Sequence, residues 1–198
     1  MAEALIYPEI VAVDKEFMMQ MASGNVYDDF DIRLGKRRTY ANKIISIYAS
    51  LFKEGNNEEA RESLKRLVKR VGERVNIIPP FSMEFGMFVE FGDDVFINQD
   101  SIFLDCAPVI IGNRVMMGPR VCFFTSDHDL DPIKRNKGDI TAKPITINDD
   151  VWIGGNVTFL GGVTVGEGST IGAGSVVISD IPAGVVAVGN PCRVVKVL

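Results

Sequence analysis

The chain is predicted to be all-β dominated, a parallel β-helix preceded by a small α-helical segment, and three features of its 198 residues carry that expectation. Every sixth residue of the last block is apolar: Ile147, Ile153, Phe159, Val165, Ile171 and Val177. The same beat runs upstream through Phe85, Phe91, Ile97 and Phe103, then after a shift of register through Ile111, Met117 and Phe123. It fails at length once, between Phe124 and Ile145, where the text TSDHDLDPIKRNKGDITAKP is polar and charged.

A six-residue unit is too short for a strand plus a helix and suits one short strand followed by a sharp bend. Glycines just after the beat, such as Gly92, Gly154, Gly166 and Gly172, are read as tolerating the positive φ of that bend. Two residues before the later beats stand Ile145, Val151, Val157, Val163, Ser169 and Ser175, all small or β-branched. Three units close a triangular coil of about eighteen residues, and coils stack at the roughly 4.8 Å spacing of parallel strands. An ordinary sandwich would show period-two alternation and hairpin turns, and neither dominates.

The elements follow in order. Phe17 to Ala22, Arg37 to Phe52 and Glu58 to Val75 place apolar side chains at helical spacing, with loops at Ser23-Gly24-Asn25 and Gly55-Asn56-Asn57. Pro79-Pro80 marks a boundary, so 1–80 reads as a helical segment and 81–198 as the β-helix. The polar stretch, at about 125–144, must loop outward from a prism of stacked coils. Polar loops on a rigid scaffold are where chemistry usually sits, and this one carries His128, the chain's single histidine.

Composition narrows the function. A hydrophobic share of 46%, 24% charged residues and a net charge of -5 describe one globular domain. An acidic surface repels phosphate backbones, so no nucleic-acid partner is expected, and the basic run from Arg61 to Arg74 reads as a solvated helix face. Three cysteines, Cys106, Cys122 and Cys192, form no CxxC pair, which points to a reducing, cytoplasmic setting and to buried small hydrophobes. No run approaches the ~20 apolar residues that cross a bilayer, so no membrane partner is expected. One histidine and no clustered thiols cannot build a three- or four-ligand transition-metal site, and no metal is expected.

The block from Lys143 to Val197, the loop TSDHDLDP and the upstream FINQDSIFLDCAPVIIG resemble the hexapeptide-repeat O-acetyltransferases of the maltose and galactoside acetyltransferase group. MASGNVYDDFDIRL resembles that group's entry helix and the turn after it; the likeness spans roughly 17–198. It implies a left-handed β-helix and a homotrimer, with acetyl-CoA as co-substrate meeting a sugar-like hydroxyl in a cleft between adjacent prisms. Such a transfer needs a general base, for which imidazole suits neutral pH, and a backbone N–H aimed at the oxyanion. His128 is the candidate base and Gly155, in VWIGG, matches the family's oxyanion donor.

By the same resemblance Asp29, Glu84, Asn98 and Asp105 hold the acceptor, since carboxylates and amides pair with adjacent hydroxyls. Gly155, Ala173 and Ile178 line the pantetheine slot through backbone groups, Trp152 walls it, and Lys143 and Arg193 meet the nucleotide phosphates. Asp29 has a rival reading as a helix cap and Asn98 as a turn residue. Phe88, Gln99 and Asp129 depart from the family pattern, the first two near the expected acceptor region. Other readings stay open: N-acetylation of an amino sugar or xenobiotic, and a non-catalytic trimeric scaffold or carbohydrate-binding module. Residues 1–16 fall outside the resemblance, and the apolar IYPEIVAV has no assigned role.

Overall fold

The structure, a computed structural model, describes residues 15–198, so IYPEIVAV lies outside the described residues. Three parallel sheets wrap one interior. The first face holds Arg70–Val71, Val89–Phe91, Val109–Ile111, Ile145–Ile147 and Thr164–Val165. On the second face lie Asn76–Ile77, Phe96–Ile97, Met116–Met117, Trp152–Ile153, Thr170–Ile171 and Val185–Val188. Phe81–Met83, Ser101–Leu104, Cys122–Phe124, Thr158–Leu160 and Val176–Val177 form the third. The result is a left-handed parallel β-helix of about six turns. Its last strand, Arg193–Val197, folds back antiparallel on Val185–Val188.

The beat builds the interior as the sequence implies, with one substitution of position. Ile147, Ile153, Phe159, Val165, Ile171 and Val177 are all fully buried. Upstream, Met83 rather than Phe85 pairs with Phe103 inside the prism. Phe85 is equally buried but belongs to a second core outside it, with Phe17, Met21, Tyr27, Leu34 and Ile140. Apolar character satisfies either core, so periodicity alone misplaces this residue. The cause is coil length: register pairs Val71 with Phe91 and Phe91 with Ile111, 20 residues apart, whereas Ile147 and Val165 are 18 apart. The two extra residues sit where the third face turns into the first, and the polar excursion leaves from that same corner.

Glycines after the beat serve a purpose other than the expected one. A Cβ on Gly166 would lie 2.3 Å from the Ala183 nitrogen, and one on Gly154 2.6 Å from the Ala173 nitrogen. Close stacking of successive coils, rather than positive φ, excludes side chains there. Left-handed backbone falls later in the turn, at Arg74, Asp94, Arg114 and Asp150, with φ between 52 and 59°. These four stack on the corner between first and second faces, and their charges alternate, Arg74 pairing with Asp94 and Arg114 with Asp150.

Helices α2 (Ile32–Lys53) and α3 (Asn57–Lys65) cover the start of the prism, while α1 (Lys15–Ala22) packs outside it on the strand Asp139–Ala142. Asp31 caps α2 by accepting the Arg33 N–H at 2.8 Å, which starts that helix ahead of Arg37. The helical reading of Glu58 to Val75 holds only as far as Lys65. Val71 and Ile77 pair with Phe91 and Ile97, so the first coil begins at Arg70, before Pro79-Pro80. Tyr48 ties α2 to that coil: its hydroxyl donates to the Ile77 carbonyl at 2.9 Å and its ring meets Phe81 edge-on. Within the basic run, Arg61 pairs with Glu58 and Lys65 with Glu62. All three cysteines are free, Cys106 and Cys192 buried and Cys122 half-buried.

Candidate active site

The excursion from the third–first corner folds into a small sheet of its own. Ser126–His128 pairs antiparallel with Asp139–Ala142, and that strand pairs on its other edge with Tyr27–Asp28. A short helix, α4 (Pro132–Arg135), makes the bend between the first two strands, capped by Asp131, which accepts the Ile133 N–H at 2.9 Å. Register aligns Tyr27, Ile140 and His128 in one row, and side chains in one row share a face. Tyr27 and Ile140 are buried in the second core, and His128, at the row's outer edge, is exposed. Asp129 turns its carboxylate into the loop, accepting the Asp131 N–H at 2.8 Å with Lys134 at 3.6 Å. That N–H bond, with Lys134 second to it, holds the Asp129 carboxyl below the usual range.

Asp29 and Glu84 come together on a residue that sequence reasoning missed. Arg38, on α2, donates from Nη2 to Asp29 Oδ1 at 2.6 Å and from Nε to Glu84. Its guanidinium lies 5.2 Å from the centre of the Phe85 ring. Asp31, not Asp29, is the helix cap, which leaves Asp29 for this fork. The run RLGKRR at 33–38 carried no sequence signal, because Arg38's partners lie 9 and 46 residues away. Arg37, next to it, is a structural buried cation, donating to the carbonyls of Phe85 and Leu67 at 2.8 and 2.6 Å. Beneath the fork, burial raises the Tyr27 phenol above its ordinary value and pushes the Cys106 thiol up to about 11.

Asp105, expected among the acceptor contacts, is enclosed by its own chain. It is fully buried, Oδ1 accepts the Phe85 N–H at 2.9 Å, and Oδ2 has no partner among the described residues. Its role in this fold is to hold the turn that carries Glu84 and Phe85. Burial pushes its pKa up to about 7 from 3.8. The folded state therefore keeps a proton that the unfolded chain releases near pH 4. Stability from this group is complete below about pH 4 and is lost as pH rises through 7, by roughly 4 kcal/mol in all. Between pH 5 and 8, wild-type protein is expected to lose about 2–3 kcal/mol more than Asp105→Asn in urea denaturation. Parallel pH profiles for the two proteins would remove this assignment.

The remaining residues divide between two places. Gly155, Ala173 and Asn98 lie on the corner from the second face to the third, and Trp152, 59% exposed, stands on the second face beside it. Gly155 is stacked between coils: Asn156 donates to the Pro119 carbonyl below and Gly174 to the Gly155 carbonyl from above. Among the described residues neither the Gly155 nor the Ala173 N–H is spent on another group. Asn98 uses its side-chain oxygen on the Gln99 N–H at 2.8 Å. Arg193 donates to the neighbouring Cys192 carbonyl at 2.7 Å. Lys143 and Ile178, by contrast, are exposed at the third–first corner, near His128's loop rather than near Gly155. Of the departures from the family pattern, Phe88 is buried in the second core and Gln99 is exposed. No group of three or more His, Cys, Asp or Glu among the described residues could hold a metal ion. No helix among them is long and apolar enough to cross a membrane.

Comparison with known proteins gives these features a context. The bacterial transferase hexapeptide family, a model of six repeats, matches residues 144–179. A maltose O-acetyltransferase from Clostridium difficile 630 superposes with a TM-score of 0.88 at 39% identity, over 91% of this chain and 96% of that one. A hexapeptide-repeat acetyltransferase from Vibrio cholerae O1 biovar eltor, solved with acetyl coenzyme A, gives 0.83 at 34% identity over 91% and 97%. A galactoside O-acetyltransferase from Lactococcus lactis is 41% identical over 138 residues, covering 69% of this chain and 67% of the relative. Identity of this order across nearly the whole length of the solved enzymes decides the family. The chain belongs to the hexapeptide-repeat O-acetyltransferases, in the maltose and galactoside acetyltransferase group.

Proposed function

We propose that this protein moves the acetyl group of acetyl-CoA directly to a hydroxyl of a sugar or sugar-like acceptor, in a site shared by two adjacent chains of a homotrimer. The observation that carries the reading is the division just described. His128 projects from the third–first corner, and the unspent N–H groups of Gly155 and Ala173 lie on the second–third corner. On a single prism these corners are a face apart. Prisms set side by side around a threefold axis put one chain's third–first corner against the next chain's second–third corner, so the two halves meet. Exposed Met116 and Trp152 on the second face give that contact an apolar surface.

In this arrangement His128 takes the proton of the acceptor hydroxyl as oxygen attacks the thioester carbonyl, and returns it to the departing thiolate. Gly155's N–H donates to the oxyanion that develops, a bond that strengthens as charge builds and so favours the transition state over the ground state. Trp152 and Ala173 border the slot for the pantetheine arm, with Ile178 at its other side, and Lys143 and Arg193 supply cations for the phosphates. Asp29 and Glu84 accept hydrogen bonds from the acceptor's other hydroxyls. No cysteine is needed as a nucleophile, which accords with Cys106 and Cys192 being buried.

An acceptor panel with acetyl-CoA and a thiol-release readout, run beside His128→Ala, tests the reading. Release that depends on added sugar hydroxyls and vanishes in the variant is the expected result. Turnover confined to amino acceptors would replace it with N-acetylation.

A further inference from the structure

We propose that Arg38 is a specificity-determining residue, which makes the Asp29–Glu84 corner a receptor for neutral hydroxyls and denies it the charge that would retain an ammonium acceptor. The inference rests on the reading that these two carboxylates hold the acceptor. Arg38 is not a surface ion pair added to a finished site. It is the only group among the described residues that hydrogen-bonds to either carboxylate, and it binds both at once. The three side chains are about a quarter to a third exposed, so solvent screens the charges only partly.

The fork divides each carboxylate in two. Asp29 Oδ1 and a Glu84 oxygen are committed to the guanidinium, while Asp29 Oδ2 and Glu84 Oε2 have no partner among the described residues. Those two oxygens can each accept a hydroxyl, and a hydroxyl's hydrogen bond depends on a local acceptor rather than on the net charge around it. An ammonium group is held differently, by Coulomb attraction to the sum of charges. Two carboxylates alone would present two negative charges; with Arg38 between them the corner presents one. The guanidinium therefore costs a cationic acceptor much of its attraction and a neutral one little, which is discrimination by removal of an attractive charge. Stacking over Phe85, and the Nη1 donation to the Asp29 carbonyl at 3.4 Å, fix the fork between the two acids.

The test is calorimetric binding of glucose and of glucosamine, protonated at pH 6.5, to wild type, Arg38→Met and Arg38→Lys, each checked for fold by circular dichroism. Arg38→Met should shift the ratio of affinities toward the amino sugar by at least about tenfold, and the shift should shrink as salt is raised while glucose binding stays flat. Arg38→Lys, which keeps the charge but not the fork, should return most of the wild-type ratio. A ratio unchanged in folded Arg38→Met, or a shift indifferent to salt, overturns the inference. Failure of the underlying reading has a separate signature, wild-type protein that releases no thiol from acetyl-CoA with any hydroxyl acceptor.

Discussion

Chains carrying His128→Ala are expected to transfer acetyl groups roughly 100- to 10,000-fold more slowly than wild type, the range that a positioned general base contributes. The size of the effect follows from the absence of a substitute, since the sequence holds no second histidine. Acetyl-CoA affinity should change little, because among the residues proposed for its slot Gly155 and Ala173 lie on a different corner of the prism from His128 and Trp152 lies on the second face. The fold should also be indifferent: His128 is exposed on an edge strand and Ile140 anchors its row from the inside. A variant with wild-type turnover, or one that loses turnover only by failing to bind acetyl-CoA, would contradict the assignment. Steady-state kinetics paired with calorimetry separates these outcomes.

The largest expected effect on stability is Phe123→Ala, at about 3–5 kcal/mol. Phe103, Phe123 and Phe159 stack through three successive coils with centroids 4.9 and 5.2 Å apart and planes within 13°. Phe123 is the middle ring, so truncation removes contacts with both neighbours and opens a void that two stacked coils cannot collapse to fill. Phe123→Leu keeps most of the volume and should cost less than half as much. Urea denaturation of the two variants beside wild type reads the difference; a loss under about 1 kcal/mol for the alanine variant would mean the column relaxes.

How far these features were legible depends on whether the information is periodic. The prism was readable because Ile147 through Val177 each occupy the same place in a repeating coil, and one residue type in one place is what a beat records. Phe85 shows the limit, since an apolar residue on the beat can leave the interior when a coil is two residues longer. The polar excursion and its histidine were legible as an interruption. Arg38 was not, because its meaning lies in bridging Asp29, 9 residues before it, to Glu84, which the chain brings back from 46 residues further on. Asp105 enters the acceptor set only through the family resemblance, which carries no information on burial; the second core, which closes over it, makes it internal. Likewise Asn98 and His128 look like members of one site on paper, and the count of coil corners places them on different edges.

The central claim is that a working site needs His128 from one chain and the Gly155 N–H from the next. It is tested most directly by co-assembling two variants, His128→Ala and Gly155→Val. A Cβ at 155 lies 3.2 Å from the Pro119 ring of the coil below, so the valine crowds this corner, and the fold of each variant is checked first by circular dichroism. Each alone should be inactive. Unfolded together, mixed in equal amounts and refolded, they should recover activity at about a quarter of the sites, the fraction in which an intact His128 faces an intact Gly155 across a heterologous interface. Mixed assemblies that stay as inactive as either parent would show that both groups must lie on one chain.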